Sequence, residues 1–280
     1  MSLSFDPARE PTPPRDAATV LVLRDTPSGP EVYCVQRHAK SPFLGGAIVF
    51  PGGKVDADDA ALADELTTGA PLHAAAWTTG TLSVRALAIA AARELVEEAG
   101  LFPGDVPTEV ARALQDRLRG HEPLDAALRA VRATIDLTRF VPFGRWVTPA
   151  AEARRFDARF FLLRATDGQE ARPDERETTL GFWARPSEIL ERFGRGDIQL
   201  APPTTRCLEL LEDARSTREA IELATSQCLE PTCPVFVAGD PPFLALPGDP
   251  EHPSREPTTR GPTRFVLRDG RFVSEDPPRP

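Results

Sequence analysis

The sequence predicts an α/β protein with a mixed sheet packed between helices, and three stretches predict it. Residues 17–24 and 31–37 are β-branched, apolar runs joined by the turn-forming Asp25-Thr26-Pro27-Ser28-Gly29-Pro30, which reads as a buried hairpin. Val84, Leu87, Ala88, Ala91 and Leu95 recur at helical spacing, so a helix with one buried stripe follows. Beyond it, residues 140–148 and 154–164 return to strand, the second with Phe156, Phe160, Phe161, Leu162 and Leu163.

In chain order, residues 45–50 form a short strand that delivers the chain to Pro51-Gly52-Gly53, whose glycines let backbone approach a neighbour closely. Residues 58–67 are helix-prone, and 71–77 form a further short helical piece. Thr81 or Ser83 caps the main helix and Gly100 ends it. Two helical patterns at 108–119 and 124–135 are expected to make a subdomain that covers a cleft. Asp167-Gly168 is a turn, 180–184 a strand, and 186–193 and 204–224 the last helices. From residue 230 the composition shifts toward proline and glycine, with short strands at 235–238 and 243–246 and an Asp-Gly hairpin over 264–273.

Composition bounds the function. A net charge of −9 argues against a nucleic-acid backbone as partner, although it leaves room for a small polyphosphate, because bound cations invert the local field. The chain has no run of eighteen apolar residues, and its first fifteen are polar and proline-rich, so neither a membrane span nor a signal peptide is expected. Four cysteines (34, 207, 228 and 233) are too few and scattered for a disulfide scaffold, and Cys34 reads as a buried thiol. Cys228 and Cys233 have no second pair or nearby histidine to complete a zinc site. A reducing cytoplasm is the expected compartment.

The chemistry is concentrated in Arg93-Glu94-Leu95-Val96-Glu97-Glu98-Ala99-Gly100-Leu101. Glu94, Glu97 and Glu98 are spaced i, i+3, i+4, within about 100° on one helix face. Three such carboxylates repel one another unless a cation sits on them, and Mg²⁺ or Mn²⁺ suits oxygen ligands. Arg93, four residues before Glu97, is placed to brace that carboxylate. A solvated acidic face is the plainer alternative. Against it, Glu94 and Glu98 fall beside the buried stripe, so they face inward along a cleft edge.

Together with Phe50-Pro51-Gly52-Gly53-Lys54-Val55-Asp56, this run resembles the two halves of the Nudix box, Gly-x5-Glu-x7-Arg-Glu-U-x-Glu-Glu-x-Gly-U, where U is aliphatic. The second half matches at every specified position; the first matches Gly53 and has Asp59 in place of Glu. Residues 60 to 92 stand where the usual box has seven, an interruption similar to that of the branch containing the peroxisomal coenzyme A diphosphatases of animals. Trp146-Val147-Thr148-Pro149, residues 155–161 and Pro202-Pro203-Thr204 also look like that branch, and the resemblance spans about residues 17–225.

The resemblance implies a Nudix α/β/α sandwich over 17–225, with an insertion at about 60–82 and a helical subdomain at about 104–137. A flexible N-terminus (1–16) precedes it, and a proline-rich extension (226–280) follows, expected to wrap the domain or a partner subunit of a homodimer. It implies Mg²⁺ or Mn²⁺ held by Glu94, Glu97, Glu98 and a backbone carbonyl of Gly52 or Gly53, with Arg93 orienting the cluster. Arg37, Lys40, Phe43 and Lys54 are the substrate-binding candidates, and Glu94, or Glu175 or Glu177 on a loop, the candidate base. Trp146 and Trp183 either stack on a base or belong to the core.

The implied substrate is a small nucleoside diphosphate derivative. Coenzyme A or acyl-CoA, split into 3′,5′-ADP and 4′-phosphopantetheine, stands first. ADP-ribose, nucleotide sugars, dinucleoside polyphosphates and a non-catalytic ligand-sensing role are the alternatives.

Overall fold

β1 (Arg15–Thr26) and β2 (Gly29–Arg37) form the expected hairpin, in register from Leu23↔Val32 to Thr26↔Gly29. The computed structural model describes residues 5–6, 9–39, 45–71, 77, 82–174 and 178–278. β1 runs parallel to β8 (Phe156–Arg164) over nine pairs, and β8 is flanked antiparallel by β7 (Val141–Val147). The other edge of β1 is shared. Its Ala17, Ala18 and Thr19 pair with β4 (Gly52–Lys54), and its last four residues pair with β2. The sheet therefore splits beside β1, with the two glycines at the split. β2 also carries β3 (Ile48–Val49) and β9 (Thr178–Ala184).

Both faces of this sheet are covered, which is why β1 is apolar without alternation. Ala18, Val20, Val22, Tyr33 and Val35 face one core with α2 (Val84–Ala99), α3 (Thr108–Arg119) and α4 (Leu124–Val131). Leu21, Leu23, Val32 and Cys34 face a second core with α5 (Pro186–Arg195), α6 (Pro202–Leu211) and α7 (Thr217–Thr225). Ser83 is the cap of α2, its Oγ accepting the Ala86 amide at 3.1 Å; the other candidate, Thr81, lies outside the described residues. Gly100 closes the helix in left-handed backbone. Buried Ile89, Ala90, Ala92 and Val96 widen the expected stripe, because α3 and α1 (Ala57–Ala61) cover the side of α2 away from the sheet.

Three expected helices are shorter than their patterns. Residues 58–67 resolve into α1, a 3₁₀ turn (Asp64–Leu66) and β5 (Thr67–Thr68), which pairs with β6 (Ile135–Asp136). The pattern at 124–135 stops at Val131 because Arg132 turns left-handed to supply β6. The last pattern breaks before Ser216, which caps α7, while Asp25 of β1 accepts both the amide and the hydroxyl of Thr217 at 2.7 Å. Of the piece at 71–77, residues 72–76 lie outside the described residues. Trp77 is buried, its indole donating to the Leu229 carbonyl at 3.2 Å.

C-terminal strands fall close to where the pattern puts them. β10 (Pro231–Thr232) joins β7, and β11 (Val235–Val237), β12 (Phe243–Ala245), β13 (Arg264–Arg268) and β14 (Arg271–Glu275) make a second antiparallel sheet. Among the described residues no helix is long and apolar enough to cross a membrane.

Candidate active site

The last turns of α2 carry the three carboxylates to the split in the sheet. Glu98 is 6% exposed, and its Oε2 accepts the Gly52 amide at 3.1 Å. Glu94 lies against Gly53 so closely that a Cβ there would stand 2.2 Å from Glu94 Oε1. A Cβ on Gly52 would stand 2.6 Å from the Ala18 carbonyl oxygen on β1. Both positions therefore require glycine, one because of the carboxylate and the other because of the neighbouring strand. Glu97 is the outermost of the three, with a third of its side chain exposed.

Arg93 pairs with Glu97 across the expected i, i+4 spacing, and it has closer partners besides. Its guanidinium binds Asp59 with two hydrogen bonds, Nε–Oδ1 at 2.9 Å and Nη2–Oδ2 at 3.0 Å. It also reaches Glu94 Oε1 at 2.8 Å and the Lys54 carbonyl at 2.9 Å, with Glu97 only at 3.5 Å. Burial explains the closer pairing: Asp59, 1% exposed, needs a charged partner more than Glu97, a third exposed, does. Asp59 also accepts the Asp56 amide at 2.8 Å, which fixes α1 to the start of the interrupted segment. The interruption of 60 to 92 thus closes on itself, and Asp59 meets Arg93 across it.

The charges are unequal in consequence. Burial above all, with Glu97 and Asp59 beside it, holds the Glu94 carboxyl up at about 7 against the pull of Arg93. Burial works against the Arg93 charge, but its bonds to Asp59 and the nearby carboxylates outweigh that and raise it above its ordinary range. Among the described residues no three acidic, histidine or cysteine side chains form a ready-made chelate. As they stand, Glu94 is turned to Arg93 and Glu98 to the Gly52 amide.

A cavity of about 480 Å³ opens on this cluster. It is lined by Glu94, Glu97, Glu98, Gly52, Gly53, Arg37 and Lys54, and also by Trp146, Phe156, Phe160, Pro203 and Leu244. The helix α2 belongs to one core and Trp146, Phe160 and Leu244 to the other, so the cavity joins the two faces of the sheet at its split.

Of the substrate-binding candidates, Arg37 and Lys54 line the cavity, whereas Lys40 and Phe43 lie outside the described residues. The loop candidates Glu175 and Glu177 also lie outside them. Trp146 lines the cavity; Trp183 does not, and packs instead under the Arg24 guanidinium at 4.4 Å. The helices α3 and α4 contribute no lining residue, against the expectation that they cover the cleft. α3 packs on α2 and α4 on α3, and buried Gln115 of α3 ties that helix to α2 by donating to the Glu97 carbonyl at 3.0 Å. Cys228 is exposed, and the buried His252 meets the Cys233 carbonyl rather than its thiol. The sequence reading missed Glu152, a buried carboxyl in the cavity wall that belongs to no motif, and the apolar Phe5 and Leu244.

No family model matches the chain. The acyl-coenzyme A diphosphatase NUDT19 of Gallus gallus is 27% identical, over 93% of this chain and 85% of its own length. The human protein of that name is 29% identical, over 72% of this chain and 66% of its own length. A putative nudix hydrolase 7 of Caenorhabditis elegans is 26% identical over 68% of this chain and 57% of its own length. Among solved structures, a NUDIX hydrolase from Alicyclobacillus acidocaldarius superposes with a TM-score of 0.66 at 29% identity, over 75% of this chain and 96% of that one.

Proposed function

Because the chain is a Nudix superfamily member that resembles the coenzyme A diphosphatases, we propose that it hydrolyses the diphosphate bond of coenzyme A or an acyl-CoA, releasing 3′,5′-ADP and the (acyl-)4′-phosphopantetheine. The observation that carries this is the folding of Glu94 and Glu98 onto Gly52 and Gly53, with Arg93 and Asp59 joined behind them. Relatives named for acyl-CoA support the substrate, as does a cavity large enough for a cofactor-sized ligand.

The donor set suits Mg²⁺ or Mn²⁺: hard carboxylate oxygens of Glu94, Glu97 and Glu98 with a backbone carbonyl of Gly52 or Gly53. When bound there, such a cation neutralises the diphosphate and makes a bound water more acidic. Arg93 keeps Glu94 in place and contacts no substrate. Arg37 and Lys54 meet the phosphate charge from the cavity wall. Glu94 is the candidate, among the described residues, to take the proton of the attacking water.

All three carboxylates are present, which favours turnover over ligand sensing. A reducing cytoplasm accords with the four free cysteines. A panel of coenzyme A, acyl-CoA, ADP-ribose, nucleotide sugars and dinucleoside polyphosphates, assayed with Mg²⁺ and with Mn²⁺ and read by product mass, tests the reading. Cleavage of coenzyme A species at the diphosphate is the expected result, and an inert panel would overturn it.

A further inference from the structure

Pro202, Pro203 and Thr204 open α6 and line the cavity together with Ala201 before them. The chain entering α6 is fixed beside the strand that leads to the two glycines. Leu200 bridges Ile48 of β3 in parallel, and the Ile48 amide donates to the Gln199 carbonyl at 2.9 Å. From β3 the chain passes through Phe50 and Pro51 to Gly52 and Gly53, where the carboxylates lie. Ala201, at the cap position, has no side chain able to accept a hydrogen bond. Pro202 and Pro203 have no N–H, so two donors that a helix start would leave unsatisfied are absent. That concentrates the donors of this helix end on Thr204. It is 5% exposed, and neither its amide nor its hydroxyl has an acceptor among the described residues. Its neighbour Thr205 differs: amide and hydroxyl both donate to the Ala201 carbonyl, at 2.9 and 3.3 Å. A buried donor without an acceptor weakens a fold, and the unmatched pair here faces a cavity.

We propose that the Thr204 hydroxyl and amide donate to a phosphoryl oxygen of the substrate diphosphate, from the face of the sheet opposite α2. The proposal rests on the diphosphatase reading above. Its occupant follows from charge: both donors sit at the positive end of the α6 dipole, which favours an anion, and Arg37 and Lys54 add positive charge to the same cavity. The helix α2 belongs to the first core and α6 to the second, so the carboxylates and Thr204 approach the cavity from its two sides. Diphosphate oxygens turned away from the carboxylate cluster still need donors, and fixed donors serve a developing charge without reorganising. The position of α6 beside β3 selects the diphosphate over any other phosphate on the ligand.

The test compares Thr204→Val, which removes the hydroxyl at nearly constant shape, with Thr204→Ser, which keeps it, in the full chain with Mg²⁺. Coenzyme A and 3′-dephospho-coenzyme A are the substrates, and thermal unfolding is followed in parallel. Thr204→Val is expected to lower kcat/KM about ten- to hundredfold, by the same factor on both substrates, with Tm unchanged or higher. Thr204→Ser is expected to recover most of that loss. Wild-type kcat/KM in Thr204→Val would overturn the contact and leave the diphosphatase reading intact. So would a Thr204→Ser protein as impaired as Thr204→Val, or a Thr204→Val protein whose Tm falls along with its activity. A loss confined to coenzyme A would assign the donors to its 3′-phosphate and overturn their placement at the diphosphate. A wild type that cleaves neither substrate would overturn both the contact and the reading it rests on.

Discussion

Gly52 and Gly53 differ in what stands against them, and the difference is measurable. A methyl on Gly53 runs into the end of the Glu94 side chain, which has to move out of the cluster; a methyl on Gly52 runs into the Ala18 carbonyl, a backbone atom that cannot swing aside. Gly53→Ala is therefore expected to lower turnover more than stability, and Gly52→Ala to cost about 1–3 kcal/mol of stability by overpacking against β1. Steady-state assays and denaturant unfolding of the two variants check this pairing. Glu94 makes a second prediction. Its carboxyl is pushed from an ordinary 4.5 up to about 7 in the folded protein, so folding favours the protonated form. That contribution is fully present below about pH 4.5 and is lost as the pH rises through 7. In EDTA, Tm is expected to fall between pH 5 and pH 8. Mg²⁺ is expected to recover the loss at pH 8, and Glu94→Gln to flatten the slope. A Tm in EDTA indifferent to pH over this interval would contradict the assignment.

The element that organises the molecule is α2, and its grip on α1 is the Arg93–Asp59 pair. Asp59→Ala removes the two-bond partner of the Arg93 guanidinium, 12% exposed, while Glu94 and the Lys54 carbonyl remain, and is expected to cost about 1.5–3 kcal/mol in denaturant unfolding. At this scale the sequence was legible wherever the pattern was local. The β1–β2 hairpin, the capped and glycine-terminated α2, the aromatic β8 and the Asp-Gly hairpin of β13 and β14 are all written in short-range spacing. The helices that came out short are those in which a tertiary partner took residues away. Strand β6 claimed Ile135 for pairing with β5, and Asp25 claimed Thr217 as the start of a separate α7. Likewise the spacing between Arg93 and Glu97 gave no hint that Asp59, 34 residues upstream, would be the stronger partner. That contact exists only because the interrupted segment folds back. The backing role of α3 and α4 was hidden too, since an amphipathic pattern tells which face is buried but not against what.

Across the whole molecule, the two faces of the sheet contribute different halves of the cavity. Carboxylates and glycines come from α2 and β4, and the hydrocarbon wall from β7, β8, the N-terminal arm and the C-terminal sheet. The carboxylate half could be read from a motif, and Trp146, Phe156 and Phe160 fall in stretches the resemblance also covers; Phe5 and Leu244 could not be read, because they are ordinary apolar residues until the chain brings them to the cavity. Everything in this account depends on the acidic end of α2 being chemically active, and turnover of Glu97→Gln and Glu98→Gln on coenzyme A with Mg²⁺ or Mn²⁺ tests that most directly. Each substitution removes one charge at nearly constant shape, and each is expected to lower kcat by about a thousandfold or more while the protein stays folded. Near-wild-type kcat in both variants would contradict the account.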